Sequence, residues 1–301
     1  MKKFLILLLI ISYSCDTTQY NSDKIEFDKK EYSEAFQLID YWLEAQKDYE
    51  KLPGLTAIVT DKNETKWVRS YGSSNGFEPM NIENTFSICS ISKLFTAVAI
   101  MQLVEDGKIN LDDPIQKVLP WFDIYSAFDD APDLTIKSIL SHSSGLPRES
   151  NHPYWSGPEF PFPSKESVVN ELKNQEMLYP LSKYYQYSNL GLSLLGFIVE
   201  EITQSSFDDY VNQNILIPLS MTDTKTYMST DDYGKNLALG YSSLNRDVVR
   251  EKVNFFNADG IAAAAGFTSN VLDIAKFARW QMKLLASIEK NILLPETLRS
   301  M

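Results

Sequence analysis

The chain has 301 residues, of which 44% are hydrophobic, so it is long enough to bury the core of one large domain or two small ones. Its formal net charge of −12 argues against nucleic acid as a partner, because nucleic-acid binding needs clustered Lys and Arg. The two His and two Cys residues form no cluster in the sequence, so we expect no metal site and no cofactor.

The N-terminus has the pattern of an export signal. A short basic start precedes an unbroken apolar run at 4–11, which is too short to span a bilayer as a helix. Cys15 follows closely, as in the lipobox of bacterial lipoproteins, where the thiol is lipidated. We therefore expect a signal peptide at 1–15, a tether at 16–30, and export to the cell envelope (periplasm or cell surface) with a lipid anchor in the membrane. The alternative is ordinary cleavage that leaves a spare thiol.

Apolar periodicity and turn signals then divide the chain into helices, strands and loops. The predicted helices cover 31–51, 94–104, a short run ending near 120, 135–140, 190–202, 207–217 and 271–285. Two β-rich runs, 55–60 and 66–71, predict a hairpin, and 222–258 is expected to hold loops and short strands. An irregular aromatic loop with four prolines occupies 151–164, and 262–266 is expected to be a small-residue turn.

Ser90 and Lys93 form the most informative motif, because residues three apart on a helix share a face. The Lys93 amine can therefore reach the Ser90 oxygen and convert a weak nucleophile into one that can be acylated. The motif lies where an extended segment gives way to an apolar helix, at the positive end of the helix dipole. The same spacing recurs at Ser287 and Lys290 without that context, and we interpret the second copy as chance.

Tyr187 and Asn189 are the second pair of candidates, at the start of another predicted helix. The phenol can relay a proton, and the carboxamide can hydrogen-bond a substrate amide or hold the lysine. Tyr210 and Asn212 repeat this spacing inside a helix, so the bare pattern is weak. A triad through His142 is less favoured, because no acidic residue lies at a telling distance; we expect His142 to organise a turn near the site.

Five ordered segments resemble the serine hydrolases of the class C β-lactamase and penicillin-binding-protein group. These are 86–97, 100–120, 140–147, 187–202 and 264–277. The 94-residue step from Lys93 to Tyr187 is also similar, and the resemblance runs from about residue 52 to 301. It implies an α/β (α+β) fold, β-lactamase/transpeptidase-like, in which an antiparallel sheet flanked by helices packs on a mainly helical region at roughly 115–225.

The resemblance also implies a role for each candidate. Ser90 would be the acylated nucleophile, and its backbone N–H would supply half of an oxyanion hole. Lys93 and Tyr187 would be joint candidates for the proton acceptor. Asn189 would contact a substrate amide. The expected substrate is a β-lactam, a D-Ala-D-Ala-type peptide derived from peptidoglycan, or a small ester. The alternative is a non-catalytic envelope protein that keeps the fold and binds such a molecule without turnover.

The chain departs from the family pattern in one important place. The family has a third motif, Lys-Thr-Gly or His-x-Gly, on a strand that follows the segment matching 266–277, and no such triplet occurs here. We therefore expect 31–301 to be a hydrolase domain that lacks its C-terminal strands. Loss of the oxyanion donor on such a strand typically costs about 10²–10³ in rate, and this departure is what favours the non-catalytic alternative.

Overall fold

The computed structural model describes residues 29–128 and 132–301. The expected signal peptide, Cys15 and the tether up to residue 28 lie outside the described residues and stay predictions. The chain divides into two compact units after Tyr41, and the unit Trp42–Met301 contains all the candidate catalytic residues. Among the described helices, none has the length and apolar character needed to cross a membrane.

Helices supply most of the regular structure. They are α1 (Lys29–Tyr49), α2 (Ser92–Glu105), α3 (Ile115–Val118), α4 (Ile136–Leu140), α5 (Lys165–Glu171), α6 (Asn189–Thr203), α7 (Phe207–Val211), α8 (Ala262–Ala265), α9 (Val271–Leu285) and α10 (Pro295–Ser300). The strands are β1 (Gly54–Thr60), β2 (Thr65–Gly72), β3 (Phe86–Ser87) and β4 (Thr268–Ser269).

The strands of the described residues pair as two small antiparallel sheets. β1 and β2 form the predicted hairpin, which packs against α9. Arg279 of α9 donates hydrogen bonds to the hydroxyls of Thr60 and Thr65 at the far end of the hairpin. β3 pairs with β4, with Phe86 opposite Ser269. Since β3 leads into α2 and β4 leads into α9, this short pair fixes the starts of both helices.

α2 is the central helix of the core. It packs against α6, α7 and α8, and its apolar side chains are buried around most of its circumference, as expected of a helix inside a core rather than on its surface. Phe95 lies between Phe267 and Phe277, with ring centroids 5.1 and 4.4 Å away. α6 is equally apolar and is buried from Asn189 to Val199. The nucleophile motif therefore begins a helix that the rest of the fold holds in place.

The expected mixed α/β architecture, with helices and small antiparallel sheets, is confirmed. α2, α6 and α9 lie where apolar periodicity predicted them. The expected turn at 262–266 is the short helix α8, because four consecutive alanines favour helix over turn. The segment 222–258 contains only isolated bridges, such as Tyr241 opposite Lys252, where short strands were expected. α5 was not predicted; it begins at an N-cap, Ser164, that directly follows the proline-rich loop.

Candidate active site

Ser90 lies in a single 3₁₀ turn, Cys89–Ile91, that joins β3 to α2, and its side chain is exposed. Its Oγ accepts two hydrogen bonds. One comes from the Lys93 Nζ at 3.1 Å and the other from the Tyr187 hydroxyl at 2.8 Å. The structure thus brings together three of the four residues named from the sequence, including one that is 97 positions away from the nucleophile.

Lys93 is held for this contact by the segment around α8. Only 9% of the residue is exposed, and its amine also donates to the backbone carbonyl of Ala264 at 2.7 Å. The amine lies 4.8 Å from the centroid of the Tyr187 ring. A hydroxyl, a carbonyl and an aromatic face therefore surround the amine, and its distance to the Ser90 oxygen suits direct proton transfer.

Ser92 connects the nucleophile turn to the same segment. It is fully buried, and its hydroxyl donates to the carbonyl of Cys89 and accepts the backbone N–H of Phe267 at 3.1 Å. Cys89 has a φ of +44°, a conformation uncommon for a non-glycine residue. The turn that presents Ser90 is therefore constrained from both sides, by Ser92 and by the pairing of β3 with β4.

Tyr187 reaches Ser90 because the start of α6 is tied to the loop that follows α4. Ser188 is the N-cap of α6, and its hydroxyl also donates to the carbonyl of Pro147 at 2.6 Å. The Ser188 N–H donates to His142 Nδ1 at 3.2 Å, and the Asn189 N–H donates to the carbonyl of Arg148 at 2.8 Å. These bonds fix the backbone that carries Tyr187.

His142 acts on this backbone, and the described residues place no bond between it and Ser90. Its ring lies 4.5 Å from the Tyr187 ring at an interplanar angle of 33°. Burial, together with the positive charge of Lys93, lowers the pKa of the imidazole below 6.5. A neutral ring can use Nδ1 as an acceptor for the Ser188 N–H, which agrees with the prediction that His142 organises a turn near the site.

Asn189 is the fourth predicted residue, and its carboxamide contacts Glu149. Its Nδ2 donates to both oxygens of that carboxylate, at 2.9 and 3.0 Å. Asn189 is 3% exposed, and its Oδ1 has no hydrogen-bond partner among the described residues. A contact between Asn189 and a substrate amide stays a prediction.

Glu149 and Arg148 were not predicted from the sequence as site residues. Arg148 places its guanidinium 5.0 Å from the centroid of the Tyr187 ring, and its Nε donates to Glu149 at 3.1 Å. The sequence offered one signal for them, which is that both residues directly follow the loop that carries His142 and Pro147 near the predicted site. Spacing along the chain does not show that a carboxylate here meets a carboxamide forty residues later.

The second copies of the two motifs do not form sites. Lys290 pairs with Glu105 at 2.8 Å, whereas the Ser287 hydroxyl donates to the carbonyl of Glu289. Tyr210 is buried within α7, and its neighbour Asn212 lies in the helical turn that follows. Of the two Ser-x-x-Lys patterns, the structure therefore assembles the one that begins at Ser90.

The surroundings of the site are apolar on one side. A cavity of about 620 Å³ borders Lys93 and His142 and is lined largely by aliphatic side chains, including Leu94, Leu140 and Leu192. Mostly apolar walls with a few polar groups are typical of small-molecule sites. Within 29–128 and 132–301, no group of three or more His, Cys, Asp or Glu residues could hold a metal ion.

The chain matches one protein-family model and is similar to several known proteins. A family model described as Beta-lactamase matches residues 39–301. "Beta-lactamase-like protein 2" of Dictyostelium discoideum is 28% identical over 243 residues, covering 79% of this chain and 44% of the relative. "Protein flp" of Staphylococcus aureus (strain N315) is 26% identical over 230 residues, covering 74% and 44%.

A solved structure agrees with the fold. The octameric penicillin-binding protein homologue from Pyrococcus abyssi superposes with a TM-score of 0.75 at 26% identity, covering 88% of this chain and 59% of that one. The chain spans less than half the length of the two curated relatives, at 44% each.

Proposed function

Because the chain belongs to the Beta-lactamase family of serine hydrolases, we propose that it forms an acyl-enzyme at Ser90 and passes the acyl group to water. The substrate would be a β-lactam, a peptide ending in D-Ala-D-Ala, or a small ester. One observation carries the proposal. The exposed Ser90 oxygen accepts hydrogen bonds from both Lys93 and Tyr187, which are the two groups able to move its proton.

The geometry supports a two-step reaction. In the first step, the Ser90 Oγ bonds to the substrate carbonyl carbon as its proton passes to Lys93 in its neutral amine form or to Tyr187 in its phenolate form. The tetrahedral intermediate then collapses, the bond to the leaving group breaks, and the leaving group takes up that proton. In the second step, water attacks the Ser90 ester and gives a proton to the same pair of groups. The bond between the acyl carbon and the Ser90 Oγ then breaks, the Oγ takes up that proton, and the acid is released. Lys93 and Tyr187 both lie within hydrogen-bond distance, so they remain joint candidates for the base.

The test is intact-mass analysis of the purified full chain after incubation with a fluorophosphonate and, separately, with benzylpenicillin. We expect a single covalent adduct on the unchanged protein and none on Ser90→Ala. Ser287→Ala is the matched control, since it removes the serine of the other Ser-x-x-Lys pattern and should keep the adduct. Lys93→Met should slow labelling, because the amine is one of the two hydrogen-bond donors to the Ser90 oxygen.

Two outcomes would contradict the proposal. A folded, soluble sample that gains no mass with either reagent would show that Ser90 is not a working nucleophile in this chain. An adduct that persists on Ser90→Ala would place the reactive group elsewhere. A penicillin adduct that decays with time would favour β-lactam turnover, and a stable one would favour peptidase-type chemistry.

A further inference from the structure

The carboxylate of Glu149 collects hydrogen bonds from four neighbouring side chains. Asn189 Nδ2 donates at 2.9 and 3.0 Å, and both Trp155 Nε1 and Arg148 Nε donate at 3.1 Å. The hydroxyl of Tyr154, a fully buried residue, donates to the second oxygen. All four partners are donors. An ionised carboxylate meets this demand because it only accepts hydrogen bonds.

This arrangement determines which way the Asn189 carboxamide faces. The two ends of a carboxamide differ, since the nitrogen donates and the oxygen accepts. With the nitrogen toward Glu149, two hydrogen bonds form; with the oxygen there, acceptors would face each other at about the same distance and repel. Oδ1 is consequently turned away from Glu149, and it is buried with no hydrogen-bond partner among the described residues.

Glu149 also reaches the other half of the Tyr187–Asn189 pair. Its bond to the Arg148 Nε holds the guanidinium, which lies 5.0 Å from the centroid of the Tyr187 ring. Through Tyr154 and Trp155, the same carboxylate fastens the first part of the aromatic loop to the start of α6. The Glu149 side chain thus contacts Asn189 directly and Tyr187 through Arg148, and both were predicted from the sequence as site residues.

We propose that Glu149 is a positioning residue for the acylation reaction, acting through Asn189. It keeps the carboxamide in one orientation and so determines which of its two ends serves a substrate amide. This inference rests on the function proposed above and on the predicted contact between Asn189 and a substrate amide. Glu149 itself has no bond to Ser90, Lys93 or Tyr187 among the described residues, so it is not a catalytic residue.

The test compares Glu149→Gln, Asn189→Ala and the double variant in the full chain. Glutamine has the same shape, but its amide adds donors among groups that already donate, and it lets the Asn189 carboxamide turn over. The probes are an alkyl fluorophosphonate and a diphenyl phosphonate bearing an acylamino group beside phosphorus. Labelling rates are followed by intact mass. Glu171→Gln is the matched control, since Glu171 also holds two asparagine side chains, those of Asn151 and Asn174.

We expect Glu149→Gln and Asn189→Ala each to slow the acylamino probe by about 10-fold or more, consistent with the loss of hydrogen bonds to a charged group. The labelling rate with the alkyl probe should change by less than about 3-fold. With the acylamino probe, the double variant should label no more slowly than Asn189→Ala, because the effects of residues that act as one unit do not add. Glu171→Gln should change neither rate. A residue that only stabilises the fold would instead lower the unfolding midpoint and slow both probes alike.

The outcomes separate the two proposals. If the unchanged protein labels with neither probe, the proposed function fails. If it labels with the alkyl probe while the acylamino probe does not react, or if the effects of the two substitutions add, the positioning role through Asn189 is wrong. Equal slowing of both probes by Glu149→Gln also overturns it.

Discussion

Replacing Ser92 with alanine removes a buried hydroxyl that joins the nucleophile turn to the segment after α8. The Cys89 carbonyl keeps a partner in the backbone N–H of residue 92, but the Phe267 N–H loses its acceptor. Both Ser92 and Phe267 are fully buried. An unsatisfied buried donor costs about 1–3 kcal/mol, a large share of the roughly 5–15 kcal/mol that a domain has in total.

Urea unfolding of Ser92→Ala measures this cost. With an m-value of about 2–3 kcal/mol/M, a cost of about 1–3 kcal/mol should lower the midpoint by roughly 0.3–1.5 M. Ser193→Ala is the matched control, because Ser193 is equally buried but its hydroxyl donates to Asn189 O, a helix carbonyl that retains its backbone partner. That substitution should cost less than about 1 kcal/mol. Equal midpoints for the two variants would refute the reasoning, since no stranded amide would then distinguish Ser92.

Two further predictions concern the loop after α4. The pKa of His142 is lowered from 6.5, so the unfolded chain binds more protons near that pH, and stability falls as the pH drops through 6.5 toward the folded value. Asparagine tolerates the φ of +54° at position 142, and its Oδ1 can accept the Ser188 N–H. The His142→Asn variant should therefore lose less stability than the unchanged protein between about pH 7.5 and 5.5, as measured by urea midpoints. An unchanged pH dependence would contradict this. Gly145→Ala should cost at least about 3 kcal/mol or prevent folding, because φ is +79° and the new Cβ would lie 2.0 Å from the Tyr179 carbonyl oxygen. Gly107 also has a positive φ, +67°, but a Cβ there would meet no atom within 4 Å beyond its chain neighbours. Gly107→Ala should therefore cost only about 1–2 kcal/mol by the same unfolding measurement. Similar losses for the two variants would show that the close approach at Gly145 is not the cause.

Local signals account for the parts of the fold and site that the sequence predicted. α2 and α9 are long and strongly patterned, and the three-residue step from Ser90 to Lys93 is a property of one helix. Short elements carry too little pattern, which explains why α5 was missed and why α8 was taken for a turn. Tyr187 was placed near Ser90 only through the resemblance to a family, because no local rule brings together residues so far apart.

Glu149 shows where prediction from one sequence ends. Nothing in its own stretch of sequence distinguishes it from the other carboxylates of the chain. Its role emerges only when the loop after α4, the aromatic loop and the start of α6 meet and present four donors to the same group. A carboxylate is the side chain that satisfies such a set, but the set itself is a product of the tertiary structure.

The alanines of α8 and the glycines packed around it explain how polar side chains of α2 reach a backbone. Besides Ser92 and Lys93, the Thr96 hydroxyl donates to the carbonyl of Ala263 at 2.6 Å, so three side chains of the first turns of α2 bind the backbone of 263–267. Such short distances require two elements to approach closely. A Cβ at Gly196 of α6 would lie 2.5 Å from that of Ala263, so α8 also packs closely against α6. A larger residue at 263 would therefore displace α8, and with it the Ala264 carbonyl that accepts the hydrogen bond from Lys93. The run of small residues, which by itself predicted only a turn, is thus a condition for the position of the amine at Ser90.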